Sequence, residues 1–127
     1  MNMLRTTIGI ICLLIIVCFP GFAEETPTIQ CVWTDVSEIV AVGDVHGDFD
    51  QFVSIMRKAE LIDTGNNWIA GETHLVQTGD ILDRGPDSGK VMDLLRRLED
   101  QAAKAGGKVH VLLGNHEAMV MQNGWRY

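Results

Sequence analysis

THLVQTGDILDRG, residues 73–85, passes from strand-forming residues to a polar loop within a few positions. Thr73 to Gln77 is short, aliphatic or β-branched at its centre, and closed off by Gly79, which favours a strand over a helix. Two other stretches follow the same plan. Glu38 to Val42 (EIVAV) ends in Gly43-Asp44, and Lys108 to Leu113 (KVHVLL) ends in Gly114-Asn115. Each strand therefore closes on a glycine followed by a side chain that offers an oxygen ligand.

The intervening segments carry a helical period. Phe49, Phe52, Val53, Met56 and Ala59 recur at three and four residues, with Asp48 placed to cap them. Val91, Met92, Leu94, Leu95, Leu98 and Ala102 do the same between Pro86-Asp87 and Gly106-Gly107, with Asp87 or Ser88 as the cap. Residues 61–72, with Asn66-Asn67 and two glycines, read as a loop. The order βαβαβ predicts an α/β fold with right-handed crossovers and a parallel sheet buried on both faces. Ligands of such sheets bind beyond the carboxyl ends of the strands, where all three glycine-led pairs fall.

Composition narrows the chemistry. The chain carries 17 acidic against 10 basic residues, a net charge of −7, which argues against non-specific nucleic-acid binding. An acidic protein that handles phosphate needs metal cations to reverse the local field. Residues 1–23 read as a signal peptide: Arg5 flanks the uncharged run Ile8 to Phe19, Pro20 ends it, and Gly21-Phe22-Ala23 offers a cleavage site. That run falls short of the roughly 20 apolar residues of a membrane span. The expectation is export to a periplasm or the extracellular space, with no stable span after cleavage; an uncleaved anchor is the alternative. Residues 24–37 form a leader. Cys12 and Cys18 leave with the signal, so Cys31 remains alone, without a disulfide or a thiolate zinc site, and reads as a small packed side chain.

The strand ends offer matched ligands. In GDVHG (43–47), an extended strand end would turn Asp44 and His46 the same way, toward one metal ion. In GDILDRG (79–85), Asp80 repeats the position of Asp44 and could bridge two ions. Asp83 is placed to orient a histidine, and Arg84 offers a planar fork to phosphate oxygens. In GNHE (114–117), Asn115 is a neutral oxygen ligand and His116 a candidate general acid, while Glu117 suits a helix start as a structural residue.

These three motifs, in this order, resemble the GDxHG, GDxxDRG and GNHE pattern of the phosphoprotein phosphatase branch of the calcineurin-like metallophosphoesterases. NNWIAGETHLVQTGDILDRGPD (66–87) and LLGNHEAMVMQNGWRY (112–127) look most similar to bacterial-type Shewanella-like phosphatases, and Leu113 stands where eukaryotic serine/threonine phosphatases typically carry an arginine that contacts phosphate. The resemblance implies that residues 38–127 are the N-terminal half of a metallophosphoesterase β-sandwich flanked by helices. It implies a dinuclear site of Mn, Fe or Zn, with Asp44 and His46 on the first ion, Asp80 bridging and Asn115 on the second. His116, steered by Asp83, would protonate the leaving oxygen, Arg84 would hold the phosphoryl group, and a metal-activated hydroxide would attack phosphorus in line.

The implied substrate is a phosphorylated protein or small phosphomonoester. A dinucleoside polyphosphate is the alternative, because that hydrolase family shares the motifs. The family takes further histidine ligands and a second sheet from later sequence, so the expectation is an incomplete domain, or an inactive metal-binding fragment. His74 and His110, away from the carboxyl edge, read as structural or surface residues. Trp33, Trp68 and Trp125 read as packing anchors, the methionines after GNHE as helix filler, and Arg126 as a solvated charge.

Overall fold

The computed structural model describes residues 30–123. The signal peptide, Trp125 and Arg126 lie outside the described residues. Six elements follow in chain order: β1 (Ile39–Val42), α1 (Phe49–Lys58), β2 (His74–Gln77), α2 (Ser88–Lys104), β3 (Lys108–Val111) and α3 (Asn115–Met121). The strands pair in parallel in the order β1-β2-β3, with Val42 opposite Gln77 and Gln77 opposite Val111. Their carboxyl ends are thus level, and the three glycine-led loops leave from one edge.

Local chemistry sets the helices. Asp48 caps α1, its Oδ1 accepting the Gln51 N–H at 3.1 Å, and Phe52, Val53 and Met56 face inward. Asp87 occupies the N-cap of α2 without a side-chain bond to the backbone; its carboxylate pairs instead with Lys90 at 2.8 Å. Val91, Leu94, Leu95, Leu98 and Ala102 form the inner stripe of that helix. With Val42, Leu75 and Val109 from the strands, these residues make one core. The 61–72 segment contributes more than its composition suggests, since Leu61, Ile62 and Trp68 are buried and an Ile62–Trp68 bridge closes it.

The sheet is not covered on both faces among the described residues. Both crossovers step the same way across it, so α1 and α2 lie on one face, over Val42, Leu75 and Val109. The other face presents Ile39, Val76 and Leu112 around His74 and His110, with Trp33 and Val36 beside them. Trp33 and Val36, expected in a leader, therefore line the sheet. Two packing expectations fail at the ends of the described region: Cys31 is exposed, and Met121, at the last turn of α3, is 71% exposed.

Candidate active site

Asp80 joins the three strand ends. Its carbonyl oxygen accepts the N–H groups of Val45 and His46 at 3.0 and 2.9 Å, fixing the loop after β1. Its carboxylate Oδ1 accepts the His116 N–H at 2.9 Å, fixing the start of α3. Gly79 and Gly114 make this approach possible. A Cβ on Gly114 would run into Asp80 Oδ1, one on Gly79 would strike the Gly114 backbone, and Gly79 also sits at φ +97°.

Glu117 completes the junction. Its carboxylate accepts the N–H groups of Asp80 (2.7 Å), Ile81 (2.9 Å), Leu82 (3.1 Å) and Gly114 (2.8 Å). Burial pushes this carboxyl up, but the N–H groups of Leu82, Gly114, Asp80 and Ile81 together outweigh it and hold the group below its ordinary value. Gln77, fully buried at the end of β2, works in the same direction from below. Its side chain donates to the carbonyls of Gly43 and Gly79 and accepts the Gly79 N–H. Neither residue was assigned a positioning role from sequence. A glutamine facing the helix layer at a strand's last position was the available signal for one, and the capping-box position of Glu117 for the other.

His46, Asp80 and His116 place one ligand atom each within 4.8 Å of one another. The two imidazole rings stand edge to face, 4.7 Å between centroids. His46 Nδ1 lies 3.0 Å from the Leu82 carbonyl, which holds the proton there and turns Nε2 toward the group. His116 Nδ1 lies 2.7 Å from Asp83 Oδ2, so its Nε2 is likewise the outward atom. The His46 imidazole and the Asp80 carboxylate suit Zn, Fe or Mn, with the His116 ring facing them and two further carboxylates beside them to offset the cation's charge. Asp44, with a side chain 64% exposed, stands 3.7 Å from His46 Nε2.

Asp44 and His46 do meet, but not along an extended strand. His46 sits at φ +49°, in a turn, and the turn brings the two together. Asp80, Asp83 and Arg84 are also left-handed, at φ +53°, +67° and +66°. Such residues cost on the order of 1–3 kcal/mol each and cluster where function requires it. Asn115 and Arg84 lie exposed at the same edge, and among the described residues neither side chain bonds to the central group.

A fold of parallel strands with carboxylate, imidazole and amide side chains at one edge is shared by metal-dependent phosphoesterases. The chain belongs to the calcineurin-like phosphoesterase family, which matches residues 37–127. Over 105 residues it is 36% identical to Shewanella-like protein phosphatase 2 of Arabidopsis thaliana, covering 83% of this chain and 27% of that one. A symmetrical bis(5'-nucleosyl)-tetraphosphatase of Baumannia cicadellinicola is 37% identical, covering 60% of this chain and 22% of its own. Among solved structures, the cold-active protein-tyrosine phosphatase of a psychrophile Shewanella species superposes with a TM-score of 0.68 at 46% identity. That match covers 70% of this chain and 27% of the other. The chain thus spans about a quarter of the length of these relatives.

Proposed function

We propose that this site belongs to a metal-dependent phosphoric monoester hydrolase of the protein-phosphatase type. The observation that carries the reading is the His116–Asp83 pair, 2.7 Å apart, set against the ligand atoms of His46 and Asp80, which lie within 4.8 Å of the His116 ring. The names of the plant phosphatase and of the Shewanella enzyme support a phosphorylated protein, or a small phosphomonoester, as substrate.

His46, Asp80, Asp44 and Asn115 would hold the metal ions. When bound, the ions supply Lewis acidity to the phosphoryl oxygens and to an attacking water. Asp83 accepts the Nδ1–H of His116, orients the ring and leaves Nε2–H to protonate the departing oxygen. Arg84 presents two parallel N–H groups to the phosphoryl oxygens. Glu117 and Gln77 act on the backbone, holding Asp80 and His116 in register.

Asp80→Asn and His116→Asn are expected to lower Mn²⁺-supported aryl phosphate turnover by about 10²–10⁴-fold. Unchanged turnover in both would sink the assignment. The similarity to a bis(5'-nucleosyl)-tetraphosphatase favours a second reading, a dinucleoside polyphosphate hydrolase. Competing that substrate against a phosphopeptide on one preparation separates the two. Calorimetric titration with Mn²⁺ bears on an inactive fragment: two tight sites oppose that reading and one weak site fits it. Residues 1–23 support export, which the N-terminal sequence of the protein recovered from outside the cytoplasm would test.

A further inference from the structure

The face of the sheet left uncovered among the described residues carries a second group of imidazoles. His74 on β2 and His110 on β3 sit diagonally across the ladder, since His110 is registered with Val76 and His74 with Lys108. His110 Nε2 lies 3.1 Å from His74 Nδ1. The rings are tilted by 44° with centroids 5.0 Å apart, so they do not lie in one plane. Trp33 packs edge-on against His110, 4.4 Å between centroids, and its centroid is 6.3 Å from that of His74.

We propose that His74 Nδ1 and His110 Nε2 form a second metal site, separate from the strand-end group, for a borderline divalent ion such as Zn²⁺ or Cu²⁺. Zinc–imidazole bonds are ~2.0–2.1 Å long. Two such bonds drawn from nitrogens 3.1 Å apart meet at about 100°, between octahedral and tetrahedral angles. The rings therefore stand at chelating separation before any ion arrives. Strand pairing fixes the Cα positions and Trp33 fixes one ring, so little ordering remains to be done on binding.

The surroundings supply the rest. A hollow of about 270 Å³ lined by both imidazoles has room for water ligands, and a neighbouring one beside His74 is edged by Asp35 and Glu72, carboxylates able to offset the cation's charge. Burial, the His74 ring and Lys108 hold the His110 imidazole below its ordinary value, so its lone pair is available at neutral pH. Lys108 opposes the cation, and the two carboxylates oppose Lys108. Binding replaces the ring-to-ring hydrogen bond. With both rings neutral, only the ring that donates this bond moves its proton to its far nitrogen; the accepting ring already carries its proton there, and no proton is released.

The test is a Zn²⁺ titration of the full chain, followed by ¹⁵N resonances of the imidazole rings and by calorimetric stoichiometry. The expected result is that His74 Nδ1 and His110 Nε2 shift together. His110→Ala is then expected to lose one equivalent of Zn²⁺ while His46 and His116 respond as before. Rings of His74 and His110 that stay unshifted at saturating Zn²⁺, or an unchanged stoichiometry in His110→Ala, would overturn the proposal. Should that variant fail to fold, the ring shifts of the unaltered chain decide alone. Loss of response at His46 and His116 only would count against the strand-end site and leave this one standing.

Discussion

A carboxylate that accepts four backbone N–H groups is more than a helix cap. Glu117 draws Asp80, Ile81 and Leu82 onto the turn that carries Asn115 and His116. Glu117→Gln would face those donors with an N–H₂ of its own, leaving at least one unpaired, at about 1–3 kcal/mol. The expected outcome is a lower urea midpoint together with weaker Mn²⁺ binding. Normal metal affinity in a destabilised variant would confine Glu117 to stability. The carboxyl is held below its ordinary value of 4.5, so its contribution is fully present above that pH and is lost as pH falls through the lower folded value. Urea midpoints of the unaltered chain should therefore drop below about pH 4.5 more steeply than those of Glu117→Gln, for which that titration is absent.

At the scale of elements, period and punctuation carried most of the information. The α2 stripe, the Asp48 cap and the three glycine-led strand ends were readable because each rests on local spacing. Leu98 lies at the centre of that stripe with no exposed surface, and Leu98→Ala is expected to cost about 2–5 kcal/mol, measurable by denaturant unfolding. Other features were not legible because they depend on partners distant in sequence. The left-handed backbone at His46 and Asp80 follows from hydrogen bonds between two loops, and no residue type announces it. Leu61 and Ile62 are buried in the same core as the inner residues of α1 and α2, against a composition that reads as loop. Which residues reach the site was legible; how Asp44 meets His46, through a turn, was not.

Taken together, the described residues give the sheet one packed side and one apolar side left uncovered among them, because both crossovers run in one direction. Ile39 is 61% exposed and Leu112 49% exposed, in a strand set whose outer edges are unpaired among the described residues. Such a surface promotes association. Sedimentation of the chain is expected to show concentration-dependent self-association, reduced by Ile39→Lys; a monomer at all concentrations would contradict this. The Glu117 clamp also has a consequence in time. Asp80 and the residue that anchors its N–H are 37 positions apart. At ~5–20 residues per second, a ribosome adds that stretch in roughly 2–7 s. During that interval the loop bearing Asp80, Asp83 and Arg84 has been made but not fastened. The nascent chain therefore acquires its ligand geometry only once Glu117 has been made, and a pause between the codons for Arg84 and Glu117 would prolong the unfastened state.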